Sequence, residues 1–117
     1  MTKQRLQSRN VGLIATTKIK SATVVRYPVV RIVFDDGVEG KIDHSDHVAN
    51  GQMFEPLRDR KLFDLVAVDE YGHSYGWNLH NEGDEIDFGA DSTRTRIETQ
   101  IVAVLAERYR RHRSAAE

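Results

Sequence analysis

The chain of 117 residues has the length of one domain, and 39% hydrophobic with 30% charged residues is a composition typical of a folded, water-soluble protein. It contains no cysteine, which excludes disulfides, thiolate metal sites and cysteine nucleophiles. No apolar run approaches the roughly 20 residues of a membrane span and no apolar signal core follows the basic start, so we expect a cytoplasmic protein that does not bind a membrane.

The net charge is only −1, but the charged residues are segregated into blocks along the chain. Residues 1–34 carry seven bases and no acid, and residues 35–91 carry fifteen acids and four bases. Residues 92–117 carry six arginines and three glutamates. Such blocks favour association between segments, chains or charged partners. The simpler alternative is that the basic blocks neutralise the acidic one within a single fold.

The first half of the chain predicts an arm followed by three strands. Residues 1–17 are predicted to form a basic N-terminal arm. The β-branched residues 18–34 predict two strands that meet near Tyr27-Pro28, because proline has no N–H for a central ladder. Asp35-Asp36-Gly37 predicts a hairpin turn, since glycine takes a positive φ without strain. The third strand is predicted at residues 38–43.

The middle of the chain alternates short helical and extended segments. Residues 53–63 predict a short helix with Pro56 in its first turn and Asp59 as the N-cap of a second. The other segments are a loop or single helical turn at 43–51, a fourth strand at 65–69, a fifth at 74–79 and an acidic loop at 81–91.

The last segment carries the clearest helical periodicity. Its apolar residues recur at one face of a 3.6-residue repeat. We expect this face to pack on the sheet or on a partner, and it consists of Ile97, Ile101, Val104, Leu105 and Tyr109. Thr95 with Glu98 matches a capping box, and Asp91 or Ser92 are alternative starting points.

These elements predict an α+β fold. It has a small, mainly antiparallel, twisted sheet of about five strands, a short helix between the hairpins and a long C-terminal helix. Residues 18–91 form the α+β domain, and residues 92–117 add the C-terminal helix and a basic tail to that same domain.

Three motifs in a fixed order lie in the predicted domain. They are Phe34-Asp35-Asp36-Gly37, then Phe54-Glu55-Pro56-Leu57-Arg58-Asp59 with Phe63, then Trp77 before an acidic stretch. Over roughly residues 18–100, this order resembles a bacterial family, domain of unknown function 2442. The resemblance implies a small α+β domain with structural roles for Phe34, Gly37, Phe54, Pro56, Leu57, Phe63 and Trp77. It also implies an antitoxin-like or regulatory role, because some relatives pair with small toxin-like proteins.

The two histidines His44 and His47 lie in the densest polar cluster, three residues apart, and on one helical turn they could share a metal ion. A metal-dependent hydrolase would require a third ligand, for which the sequence offers His73, His80 and several acids. The favoured interpretation is that the polar residues between the pair cap a short turn and both histidines are solvated. We therefore expect no metal, no cofactor and no catalytic residue.

The aromatic residues Tyr71, Tyr75 and Trp77 surround the predicted second hairpin. We favour a core tryptophan that seals the sheet against the helix, because a buried indole removes a large area from water. An aromatic platform for bases or a partner is the alternative.

With no catalytic motif, the sequence predicts a non-enzymatic interaction or regulatory module. The apolar helix face and the segregated charge predict a homo-oligomer, by default a dimer. A small protein partner encoded nearby is implied by the family resemblance alone. A nucleic-acid-binding protein is the alternative, using the N-terminal arm and the C-terminal cluster of Arg108, Arg110, Arg111 and Arg113. The hydrolase at His44 and His47 is the third candidate.

Overall fold

The computed structural model describes residues 17–116, with side chains as far as Arg113. The predicted N-terminal arm therefore lies outside the described residues, apart from Thr17. In chain order the elements are β1 (Ile19–Arg26), β2 (Val29–Phe34), β3 (Glu39–Asp43), α1 (Ser45–Asn50), a 3₁₀ helix (Gln52–Arg58), α2 (Arg60–Phe63), β4 (Ala67–Val68), β5 (Ser74–Trp77), β6 (Ile86–Gly89) and α3 (Ala90–Ala116). None of the helices in this part of the chain is long and apolar enough to cross a membrane.

The strands form two antiparallel sheets of three strands each, in the orders β1-β2-β3 and β4-β5-β6. The predicted α+β class, antiparallel pairing and long C-terminal helix are confirmed. The expectation of a single sheet with about five strands is wrong. A backbone hydrogen bond of 2.8 Å from Ile19 to the carbonyl of Gly72 links the two sheets.

Both predicted turns of the first sheet are present. β1 and β2 meet at Tyr27-Pro28, whose peptide bond is cis. The β2–β3 turn places Gly37 at φ 90°, and the carboxylate of Asp36 accepts a hydrogen bond from the backbone N–H of Val38 at 3.2 Å. Glycine therefore fits this turn as predicted, since residues with a side chain are strained at that φ.

β6 is the strand that the sequence does not predict. It lies inside the segment taken for an acidic loop, and it pairs Ile86 with Trp77 and Phe88 with Tyr75. Its alternation of apolar and polar residues is only four residues long and is surrounded by acids, so it gives a weak signal. The close approach of β6 also explains Gly76, because a Cβ there would collide with the backbone of Ile86.

The segments between the sheets are helical, with boundaries that differ from the prediction. The 3₁₀ helix begins at Gln52, so Pro56 is its fifth residue rather than part of its first turn. Asp59 caps α2 as predicted, accepting a hydrogen bond from the N–H of Lys61 at 3.0 Å. β4 has only two residues, and β5 ends at Trp77, before Asn78 at φ 56°.

The core lies between the two sheets, the 3₁₀ helix and the first turns of α3. Inward residues of β2 alternate with outward ones, as expected for a half-buried strand. The buried apolar cluster contains Ile19, Val30, Ile32, Phe34, Ile42, Leu57, Phe63, Tyr75, Trp77, Ile86, Ala90 and Ile97.

α3 begins at Ala90, earlier than the predicted capping box. Thr95 lies within the helix, where its hydroxyl donates to the carbonyl of Asp91 at 3.1 Å. Glu98 pairs with Arg94 at 2.8 Å rather than with a helix start. The capping-box interpretation is therefore wrong, because the strand β6 leads directly into the helix.

Only the first turns of α3 pack on the domain. Ile97 is fully buried against Gly40 of β3, where a Cβ would lie 2.7 Å from its side chain. Arg94 binds the carboxylate of Asp36 at 2.8 Å and lies over the ring of Phe34 at 5.0 Å. The small residue in β3 and the Arg94 contacts thus fix the direction in which the helix leaves the domain.

Candidate interaction surface and buried histidine pair

The histidine cluster has a different environment from the one predicted. His44 has 0% exposure, so the expectation that both histidines are solvated is wrong for this residue, while His47 is half-buried. The reason is the strand that precedes it: Ile42 points into the core, Asp43 points out, and His44 points in again. Asp43, rather than Ser45 or Asp46, supplies the turn's side-chain hydrogen bond, which it accepts from the backbone N–H of Ser45.

Both nitrogens of His44 have hydrogen-bond partners. Its Nδ1 lies 3.0 Å from Nδ1 of His47, and its Nε2 lies 2.9 Å from the hydroxyl of Tyr75. A neutral imidazole has one donor and one acceptor. Either direction of donation along the row His47–His44–Tyr75 therefore satisfies both contacts of His44. The pair therefore links α1 to β5 through the core.

Burial lowers the pKa of His44 from 6.5 to about 4; electrostatic interactions with His47 and Arg96 lower it further by smaller amounts, and Asp43 opposes the change. Burial raises the pKa of the Tyr75 hydroxyl, and Arg96 opposes that change. At neutral pH both groups are therefore uncharged, which is the state that a buried hydrogen-bonded network requires.

Aromatic rings enclose the histidine pair. The ring of Phe88 lies 4.8 Å from that of His44 and 5.1 Å from that of His47. Trp77 meets His44 edge-to-face at 5.6 Å, and Phe54 packs on His47 at 4.7 Å. This enclosure keeps solvent from direct contact with the His44 imidazole.

The structure brings His44 and His47 together, and no third metal ligand lies beside them among the described residues. In the part of the chain that it describes, no group of three or more histidine, aspartate or glutamate side chains is placed to hold a metal ion. His73 and His80 are exposed residues on other segments. The geometry of the pair is that of a hydrogen bond between two imidazoles.

The aromatic residues of the second hairpin separate into two environments. Trp77 is fully buried and its indole N–H donates to the carbonyl of Phe63 at 2.7 Å, while Tyr75 is buried beside it. Tyr71 is exposed on the turn. The platform interpretation is therefore wrong for Trp77 and Tyr75, and the predicted core role of the tryptophan is confirmed.

The other residues that the family resemblance marks as structural are distributed as follows: Phe34, Leu57 and Phe63 buried, Phe54 half-buried, Gly37 and Pro56 exposed.

Beyond Ile97, α3 leaves the domain. From Glu98 to Arg113 every side chain is exposed, with the exception of the half-buried Ala106. We call residues 98–113 the projecting section; at 1.5 Å per residue its 16 residues span about 24 Å.

Five large apolar side chains are exposed on the projecting section, with exposures between 40% and 64%. We call this set the exposed apolar face: Ile101, Val102, Val104, Leu105 and Tyr109. Of the five residues predicted for the interface, Ile97 is buried in its own domain and the other four are exposed. Single exposed apolar residues are ordinary, whereas a contiguous set on one helix is a candidate interaction surface.

The four arginines of the predicted nucleic-acid site lie at the far end of the projecting section, and all are exposed. Arg110 pairs with Glu107 at 3.1 Å. Successive helix residues rotate by about 100°, so Arg108, Arg110, Arg111 and Arg113 are distributed around the axis rather than along one stripe.

Sequence reasoning missed the burial of His44 and Tyr75, although a signal for both was present. Gly40, Ile42 and His44 have the two-residue period of an inward strand face, and Tyr75 and Trp77 repeat it in β5. The inward positions of β3 continue one residue past the end of the strand, to His44, which is therefore buried.

Comparison of the chain with protein-family models, curated proteins and solved structures finds no match in any of the three. The resemblance to domain of unknown function 2442 stays a prediction.

Proposed function

We propose that the protein is a non-enzymatic interaction module that acts as a homo-oligomer, most simply a dimer, through the exposed apolar face of α3. The observation that carries this proposal is the contrast within one helix. Its first turns are anchored by Ile97, whereas the next three turns present large apolar side chains to water.

The energetic argument is the burial of apolar area. Burying a fully exposed leucine or isoleucine side chain contributes about 1.5–3 kcal/mol, and Ile101 and Leu105, at 40% and 56% exposure, would each contribute about half of that. A second copy of the chain offers an identical face, and two-fold pairing is the commonest closed assembly. The residual net charge of −1 leaves little overall repulsion between copies.

An antitoxin-like or regulatory role is part of this proposal and rests on the family resemblance. A small protein partner would compete for the same apolar face, since it is the set of large apolar side chains exposed on α3.

Nucleic-acid binding is the weaker alternative. The exposed arginines at the end of α3 support it, but their placement around the helix axis gives no single stripe to follow a phosphate backbone. The metal-dependent hydrolase has still less support, because its two histidines bond to each other and His44 is closed to solvent.

Leu105→Asp should convert the oligomer to a monomer, because it places an unpaired charge at the centre of an apolar contact. The measurement is the molar mass in solution by light scattering. Leu105 is 56% exposed in the isolated chain, so the substitution should leave the domain folded, with the same secondary-structure content by circular dichroism.

Gln100→Asp is the matched control, since it adds the same charge about 140° away around the same helix. It should retain the wild-type mass. Equal masses for wild type and Leu105→Asp would overturn the proposal that this face associates.

A further inference from the structure

We propose that the two copies pair through α3 in antiparallel orientation, with Leu105 at the two-fold axis and each Arg-rich helix end directed toward the acidic β6 region of the other copy. The inference rests on the proposed function, and it names the partner's orientation and the region toward which the arginines point.

The first support is the symmetry of the exposed apolar face. Ile101 and Tyr109 lie four residues before and after Leu105, on adjoining turns of the same side of the helix. An antiparallel two-fold axis at Leu105 therefore sets Ile101 of one copy against Tyr109 of the other, and Leu105 against itself. Leu105 also lies near the middle of the projecting section, so this pairing uses its full length.

The second support is the position of the charges. Residues 81–91, which contain β6 and lead into α3, carry five exposed carboxylates and no base. The arginine cluster begins at Arg108, about 27 Å further along the helix from Ala90. With the two-fold axis at Leu105, Arg113 of one copy lies level with Ile97 of the other, about 10 Å along the helix from Ala90. Antiparallel pairing therefore directs the basic end of each helix toward the acidic start of the other, at about one Debye length, and charge complementarity of this kind favours one orientation.

Parallel pairing gives the opposite result. It sets Arg108 and Arg111 of one copy beside the same residues of the other, and the two acidic β6 regions also share one end. Like charges in register oppose association, so both charged ends favour the antiparallel arrangement.

The absence of native cysteine allows a direct test by single-cysteine cross-linking. Glu98 and His112 lie seven residues before and after Leu105, close to its side of the helix. In the antiparallel pair Glu98 faces His112 of the other copy, whereas the two Glu98 residues are about 21 Å apart along the axis. A disulfide needs Cα atoms within about 7 Å, so only the mixed bond can form.

The experiment mixes Glu98→Cys and His112→Cys chains, oxidises them mildly and identifies the covalent dimers by mass spectrometry. We expect the mixed disulfide to exceed either homodimeric disulfide by about tenfold or more, because association holds only the mixed pair within reach. Leu105→Cys should cross-link to itself, and Gln100→Cys, on the other side of the helix, sets the rate of random collision.

Homodimeric disulfides forming as fast as the mixed one would overturn the orientation and leave self-association standing. Cross-linking of Leu105→Cys without the mixed Glu98–His112 bond would overturn it too, in favour of another crossing of the helices. If none of the variants cross-links faster than Gln100→Cys and the wild-type mass stays at 13.4 kDa, the proposed function itself is overturned.

Discussion

Trp77→Ala should lower the free energy of unfolding by about 3–5 kcal/mol, the range for deleting a fully buried large aromatic side chain. Trp77 has 0% exposure, packs on Phe63 at 5.0 Å and donates its indole N–H to the carbonyl of that residue. The loss is a large fraction of the 5–15 kcal/mol that stabilises a typical domain. Urea unfolding followed by circular dichroism measures this loss. Tryptophan fluorescence cannot be used, because the substitution removes the chain's one tryptophan.

Tyr71→Ala is the control for this prediction, because Tyr71 is an aromatic residue of the same hairpin with 64% exposure. It should change the free energy of unfolding by less than about 0.5 kcal/mol. Similar unfolding midpoints for Trp77→Ala and wild type would show that the indole does not support the core.

The second large effect is a loss of stability in acid caused by His44. Its pKa is about 4 in the fold and 6.5 ordinarily, so between these values the unfolded chain binds a proton that the folded chain does not. The contribution of the neutral His44 to the free energy of unfolding is therefore complete above pH 6.5, and it is lost as the pH falls toward 4. The difference in pKa corresponds to about 3 kcal/mol.

Urea unfolding at pH 7, 5 and 4 measures this slope, and His44→Gln removes the titrating group while keeping an uncharged donor and acceptor. The variant is less stable at every pH, but the slope between pH 6.5 and 4 should be largely lost. The carboxyl groups with lowered pKa values titrate at still lower pH and act mainly below this window; they are Asp36, Glu39, Asp43 and Asp69. An unchanged slope in His44→Gln would contradict the assignment.

The fold was predictable where the signal is local. The turn at Gly37 and the break at Pro28 depend on the conformations of single residues, so the sequence determines both. β6 was not predictable, because it exists through pairing with β5, and the acids around Ile86 and Phe88 hide its short alternation. The division into two sheets likewise depends on long-range pairing.

The candidate site was predictable only in part. Helical periodicity identified the apolar residues of α3, but it could not distinguish buried from exposed ones among them. Ile97 packs against Gly40 and is buried, whereas Leu105 lies beyond the domain and is exposed. That difference depends on where the helix leaves the sheet. His44 was misassigned because its polar neighbours suggested a solvated turn, whereas the inward period of β3 continues through it.

The segregated charges of the sequence obtain a physical role from this arrangement. Within one copy, Arg94 and Arg96 of α3 bind the domain, through Asp36 and the carbonyl of Asp43. The later arginines lie on the projecting section. Neutralisation within one fold accounts for Arg94 and Arg96, and the proposed association between copies would give a role to the arginines of the projecting section.

The most direct test of the central claim, that α3 joins two copies, is the molar mass of the unmodified chain by light scattering across a dilution series. A dimer joined by α3 should have about twice the chain mass of 13.4 kDa at micromolar concentration, and its mass should fall toward 13.4 kDa on dilution below the dissociation constant. A mass of 13.4 kDa at every concentration in the series would contradict it.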